Sequence, residues 1–184
     1  MRRRALLASI PSTVAAASAG CTIGGEPPDG TGLSISSPAF EASIPVRFTC
    51  DGAGESPPLT VSGVPPETES LAVVGEWLRS YDPGTIWTLW NLPPEDPLRV
   101  PADRPNEHRL ESPAGARQGQ NGEGTVGYRS PCHETPGENE YRFTVFALES
   151  APDLEPGADR DAFDDAVEPL IAASNAFTAT YDRF

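Results

Sequence analysis

The 184-residue chain has no lysine: all 13 of its basic residues are arginine, set against 27 acids, for a formal charge of −14. A phosphate backbone would be repelled by that field instead of exchanging its counterions for protein cations, which excludes nucleic acid as a partner class. An acidic, lysine-free surface is also a solubility device for a salt-rich setting. Histidine is scarce, with only His108 and His133. A serine hydrolase needs a positioned base and acid beside its nucleophile, yet neither histidine lies in a pinned segment and no Gly-x-Ser-x-Gly elbow occurs, so no catalytic residues are assigned. Long apolar runs are missing too. The uncharged stretch from Ala5 to Gly20 is shorter and less apolar than the ~20 residues a spanning helix requires. The 21 prolines and 17 glycines disfavour a helical bundle and favour short strands joined by turns. A hydrophobic share of 38% suffices for one core, and two full domains are not expected.

The N-terminus reads as an address. Arg2-Arg3-Arg4 ahead of a small-residue run resembles a twin-arginine export signal. Ser18-Ala19-Gly20-Cys21 resembles a lipoprotein cleavage box, with Ser18 where such boxes usually carry leucine. The expected organisation is a signal over residues 1–20, a flexible Gly- and Pro-containing tether over 21–32, and a folded domain over 33–184. The protein is then exported and held on the outer face of the cell membrane by lipidated Cys21, or else secreted. Cutting before Cys21 removes three arginines and no acid, which takes the charge from −14 to −17.

From Leu33 onward, apolar residues recur mostly at the period of a strand. Val46, Phe48 and Cys50 alternate with Arg47 and Thr49, predicting a half-buried strand over Pro45 to Cys50. Leu59 to Ser62 repeats the pattern, and the apolar run in Ser70 to Val74 suits a strand covered on both faces. Further strands are predicted over Ile86 to Leu92, Tyr141 to Leu148 and Ala176 to Tyr181. Both faces of Tyr141 to Leu148 are apolar, which calls for two packed layers. Trp87 and Trp90, three apart, project from opposite strand faces, against their forming an aromatic cage with Trp77. The polar stretch from Pro93 to Gly127 is the predicted long loop. Phe163, Ala166, Val167, Leu170 and Ile171 recur at helical spacing behind an acidic start. Pro169 interrupts them, so two short helices are predicted with Pro169 in the first turn of the second.

Cys50 and Cys132 are open to three readings: a disulfide, a metal pair or a nucleophile with a partner. Export to an oxidising compartment favours the disulfide. Closing that loop would constrain the unfolded chain by roughly 4.5 kcal/mol in the chain-entropy model. His133, with Cys50, Glu134 and Glu138 nearby, matches no zinc-ligand framework, so no metal and no cofactor are expected. His108, among Asn106, Glu107 and Arg109, is read as solvated.

Several motifs occur in order: Ser37-Pro38-Ala39-Phe40, Thr49-Cys50-Asp51-Gly52, Ser56-Pro57-Pro58-Leu59, Trp87-Thr88-Leu89-Trp90-Asn91, Gly127-Tyr128 with Pro131-Cys132, and Tyr141-Arg142-Phe143 to Ala147-Leu148. With them, the chain from about Leu33 to about Tyr181 resembles the phosphatidylethanolamine-binding protein family, in its prokaryotic YbhB/YbcL, Raf kinase inhibitor-like branch. The resemblance implies a mainly β fold, a Greek-key antiparallel β-sandwich with a few short peripheral α-helices. It also implies an anion-binding pocket built from an Asp-Pro-Asp-x-Pro turn, a histidine in a Trp-Thr-His-Trp run and a His-Arg-Tyr run. Matched by position, the turn becomes Arg79-Ser80-Tyr81-Asp82-Pro83, Leu89 replaces the first histidine, and Asn139, followed by Glu140, replaces the second. Pro83, Trp87, Pro131 and Tyr141 remain. The implied ligand-binding set is therefore Arg79, Asp82, Pro83, Trp87, Leu89, Pro131, Asn139 and Tyr141, remodelled so that Arg79 could grip an anion where imidazoles are lost. The expected function is a non-catalytic binding or regulatory module for a small anion, a phospholipid head group or an envelope protein. The alternative is an inhibitor or interaction protein that works through its acidic surface over a vestigial pocket.

Overall fold

The computed structural model describes residues 32–79, 83–132 and 138–183. Eight strands and one α-helix follow the chain: β1 Ser34–Ser36, β2 Leu59–Ser62, β3 Ser70–Leu78, β4 Gly84–Leu92, β5 Leu98–Val100, β6 Arg117–Gln118, β7 Glu138–Leu148, α1 Arg160–Val167 and β8 Ile171–Asp182. They build a small sheet in the order β1-β2-β5 and a large one in the order β6-β4-β3-β7-β8. All pairings between these strands are antiparallel. The main core lies between the sheets, where Leu33, Ile35, Leu59 and Val61 meet Leu71, Val73, Trp87, Phe143 and Val145. A second core lies on the outer face of the large sheet, where Phe163 and Val167 of α1 cover Ala72, Val74, Trp90 and Leu148. Two-sided burial of β3 follows from the apolar run Leu71 to Val74, whereas β7 buries its inner face fully and leaves Arg142, Thr144 and Phe146 of its outer face half-buried.

Two irregularities in β4 decide which of its side chains face inward. Leu71 faces Leu92 and Val73 faces Leu89, so Trp90 and Asn91 together oppose Ala72. Asn91 takes a left-handed φ of 53°, a conformation asparagine tolerates better than most residues. That β-bulge sends Trp90 to the helix-covered face while Leu89 and Leu92 both point into the sandwich. A second bulge lies between the pairs Gly75–Trp87 and Glu76–Thr85, and it places both Ile86 and Trp87 on the inner side. Gly75 makes room for it. A Cβ there would stand 3.1 Å from Ile86 Cγ1 and 3.2 Å from the Phe143 ring.

Three expectations from the sequence need correction. Val46–Phe48 is a 3-10 turn, not part of a strand, and Val46 is 53% exposed. Its backbone bonds stay local, from Phe48 N to Pro45 O and Thr49 N to Val46 O, while Cys50 N donates to Pro131 O. Alternation needs a neighbouring strand to become a ladder, and none lies beside this segment. β8 begins at Ile171, five residues ahead of the expected start, so Ile171 belongs to the strand and not to a helix. The stretch from Pro93 to Gly127 contains β5 and β6 and is tied down by side-chain bonds. Around Pro169 the expectation holds, with α1 followed by a 3-10 turn over Glu168–Leu170 that carries proline in its first turn.

Candidate functional site

Strand register brings several of the expected residues to one end of the large sheet. Trp77 pairs with both Gly84 and Tyr141, Leu78 with Glu140, and Asn139 with Tyr181. Arg79 follows directly on β3, with its guanidinium carbon 5.0 Å from the centroid of the Trp77 ring. Cation–π stacking of this kind fixes the plane of the guanidinium. Gly84 lies beside the pair, where a Cβ would be in ordinary contact 3.4 Å from Arg79 Nη2. Arg79 and Pro83 are exposed, Asn139 is half-buried and Tyr141 is fully buried. Asp82 lies outside the described residues.

The loop over Gly127 to Cys132 closes this end. Asn106 holds it, accepting from Tyr128 N at 3.2 Å and donating to Tyr128 O at 3.4 Å. Gly127 has φ 100°, and a Cβ there would lie 2.4 Å from Asn106 Oδ1, so only glycine fits. Arg129 N donates to the carbonyl of the bulged Ile86 at 2.8 Å, and the Arg129 side chain pairs with Glu123 at 2.9 Å. Burial pushes the Tyr141 phenol far above its ordinary range, and the Arg129 guanidinium opposes that rise. Cys50 and Cys132 are joined, with sulfurs 2.05 Å apart, which ties this loop to the segment carrying Asp51. Asp51 accepts from the Tyr181 hydroxyl at 2.6 Å and from Arg183 Nε at 3.1 Å. Those two bonds hold the Asp51 carboxyl below its usual range, the tyrosine bond contributing most.

The expected set does not all converge. Leu89 pairs through Val73 with Val145, six residues along β7 from Asn139, a separation of about 20 Å at strand rise. Leu89 is a core residue and lies away from this end of the sheet. The bulge makes Ile86 the β4 side chain displaced toward this end, a shift that local spacing does not reveal. Neither β4 nor β7 contains histidine, so with Ile86 in place of Leu89 these strands still offer no imidazole. Trp87 is a wall of the core: its indole donates to Gln118 Oε1 at 2.7 Å and its ring meets Tyr128 edge-on at 5.5 Å. Pro131 is buried and serves the disulfide loop through its carbonyl. Sequence reasoning did not single out Gln118, Arg129, Tyr181 or Arg183. Asp51 and Tyr128 sat inside quoted motifs, but their partners are distant in the chain.

This arrangement has known relatives. The family model for phosphatidylethanolamine-binding protein matches residues 34–182. A UPF0098 protein of Methanothermobacter thermautotrophicus is 39% identical over 76% of this chain and 91% of its own length. In Mycobacterium tuberculosis, a relative named "Putative lipoprotein LppC" is 34% identical over 68% of this chain and 60% of its own. The crystal structure of E. coli YbcL, titled a new member of the mammalian PEBP family, superposes with a TM-score of 0.74 at 23% identity, covering 83% of this chain and 99% of that one. Two stacked antiparallel sheets thus define the class. The chain belongs to the phosphatidylethanolamine-binding protein family. No described helix is long and apolar enough to cross a membrane.

Proposed function

We propose that the chain is a non-catalytic binding module that takes a small anion, a phosphate monoester or a phosphorylated lipid head group, at the sheet end bordered by Arg79, Asn139 and Tyr141. The observation that carries this reading is the stacking of Arg79 on Trp77 at 5.0 Å, one position beyond the strand pairs that hold Tyr141 and Asn139. A guanidinium held in a fixed plane is the element that bidentate recognition of phosphate uses. Arg129, whose side chain is paired with Glu123, acts electrostatically on Tyr141 at the same end, within a chain of −14 that otherwise repels anions. Without imidazole from β4 or β7, affinity for a phosphate monoester follows the second ionisation of the ligand, near pH 6, more than any titration of those strands.

The test uses 15N-labelled protein beginning at Cys21, titrated with phenyl phosphate and with short-chain phosphatidylethanolamine. Amide shifts should concentrate on Trp77 to Arg79, Ile86, Arg129 and Asn139 to Tyr141, and Arg79→Ala should abolish them. No shift in those amides at millimolar ligand rejects the reading. Export and lipid anchoring through Cys21 are proposed with it, supported by the name of the mycobacterial relative. If the Cys21→Ser protein still fractionates with membranes, the anchor proposal fails.

A further inference from the structure

The opposite face of the large sheet carries a recess, separate from the proposed anion site. Where α1 ends and β8 begins, Phe146, Arg160, Asp164, Val167, Glu168 and Ile171 enclose about 310 Å³. Its apolar part is open to solvent: Phe146 is only half-buried and Ile171 is 37% exposed. Its rim is acidic, and the charges can be followed group by group. Arg160 is committed, with Nε 2.8 Å from Asp164 and Nη1 2.9 Å from Glu76. Arg142 supplies the second partner of Glu76 at 2.9 Å. Those four groups cancel. Of the lining acids, Glu168 has no such compensation; it caps the C-terminal end of α1, whose last turn carries no basic residue, and Asp165, three positions earlier and outside the lining, adds a second exposed acid beside it. The carbonyl end of a helix is itself a negative pole, so carboxylates there are in the unfavourable place and an external cation relieves them. The surrounding segment reinforces the sign, with eight acids and one arginine between residues 149 and 168.

We propose that this recess docks a basic segment of a partner protein in which an arginine or lysine is flanked by an aliphatic side chain. The aliphatic group would cover Phe146 and Ile171, and the cation would sit against Asp165 and Glu168. Charge complementarity selects this occupant. A second copy of the same −14 chain brings further acids to an acidic rim, and an anionic lipid surface does the same. The volume is at the small end of pockets that enclose ligands, which suits one anchoring side chain and not a whole domain.

The test titrates the protein beginning at Cys21 with a capped Leu-Arg-Leu-Arg-Leu peptide, using a Leu-Glu-Leu-Glu-Leu peptide as control. Amide shifts from the basic peptide alone should cluster at Phe146 and from Arg160 to Ala172, and should fade as salt rises from about 50 to about 300 mM. Reversing the exposed charges with Asp165→Lys and Glu168→Lys should weaken binding about fivefold or more. Ile171→Ser should weaken it at unchanged charge. Shifts scattered over all acidic loops, equal binding of the control, or unchanged affinity in the charge-reversed protein would each overturn the proposal. Response to phenyl phosphate at Arg79 is read in the same samples, so failure at one face is distinguishable from failure at the other.

Discussion

Replacing Glu76 with alanine removes the acid that fastens α1 to the outer face of the large sheet and pairs with Arg142 on the neighbouring strand β7. Its side chain is 7% exposed and accepts three bonds, from Arg142 Nε at 3.3 Å, Arg142 Nη2 at 2.9 Å and Arg160 Nη1 at 2.9 Å. Breaking a buried pair by deleting one partner costs about 3–5 kcal/mol, because the remaining charge loses its counterpart. Here the surviving side chains are 35% and 29% exposed, so water recovers part of their solvation and the low end, about 3 kcal/mol, applies. For a domain of this size that is about 6–12 °C in Tm. Glu76→Gln keeps the shape and loses the charge, and should fall between wild type and alanine. Urea unfolding followed by tryptophan fluorescence gives the difference directly, because Trp90 packs against Phe163 of α1 with ring centroids 5.8 Å apart. A double-mutant cycle with Arg160→Ala should return a coupling of about 1–2 kcal/mol. A loss under about 1 kcal/mol for Glu76→Ala, or additive effects in the cycle, would refute the idea that this cluster clamps the helix.

Reducing the Cys50–Cys132 bond, or replacing both residues with serine, should cost roughly 4 kcal/mol given the 82-residue separation, read as a lower urea midpoint. Gly75→Ala forces a methyl against Ile86 and the Phe143 ring and should cost about 1–3 kcal/mol. The same variant should move the amides of Ile86 and Arg129, and a silent spectrum would show that the bulge does not depend on the missing side chain. The folded-state acidity of Asp51 is raised by Tyr181 and Arg183, so its contribution is present above the unfolded value of 3.8 and is lost as pH falls below that. Amides of β8 near Tyr181 should therefore lose hydrogen-exchange protection on acidification through that range, and Asp51→Asn should lose the acid-dependent part of the change.

How far the sequence reaches can be judged residue by residue. The strand over Leu59 to Ser62, the inner face of Tyr141 to Leu148 and the Pro169 break were legible because each is set by local periodicity or by a ring that cannot continue a helix, while the outer face of Tyr141 to Leu148 is only half-buried at Arg142, Thr144 and Phe146. The family was legible in motif order. The strand expected at Pro45 to Cys50 failed because alternation records which side chains are apolar and not whether a neighbouring strand exists. Leu89 was misplaced for a related reason. Both bulges in β4 are matters of pairing with β3, and without them neither the inward turn of Ile86 nor the parting of Trp90 from Leu92 can be read from spacing.

The chain alone determined a strongly acidic balance of −14, a layered β architecture and a pair of internal cysteines available to each other, since these follow from composition and short-range pattern. Tertiary structure decided which residues stand together at that end of the large sheet, bringing Arg129 near Tyr141 and leaving Leu89 in the core. It also decided that Glu76 would be the acid shared by two arginines, one from β7 and one from α1. Contacts between residues 66 and 84 positions apart depend on how strands pair and sheets stack, and such pairing leaves no mark on the local sequence.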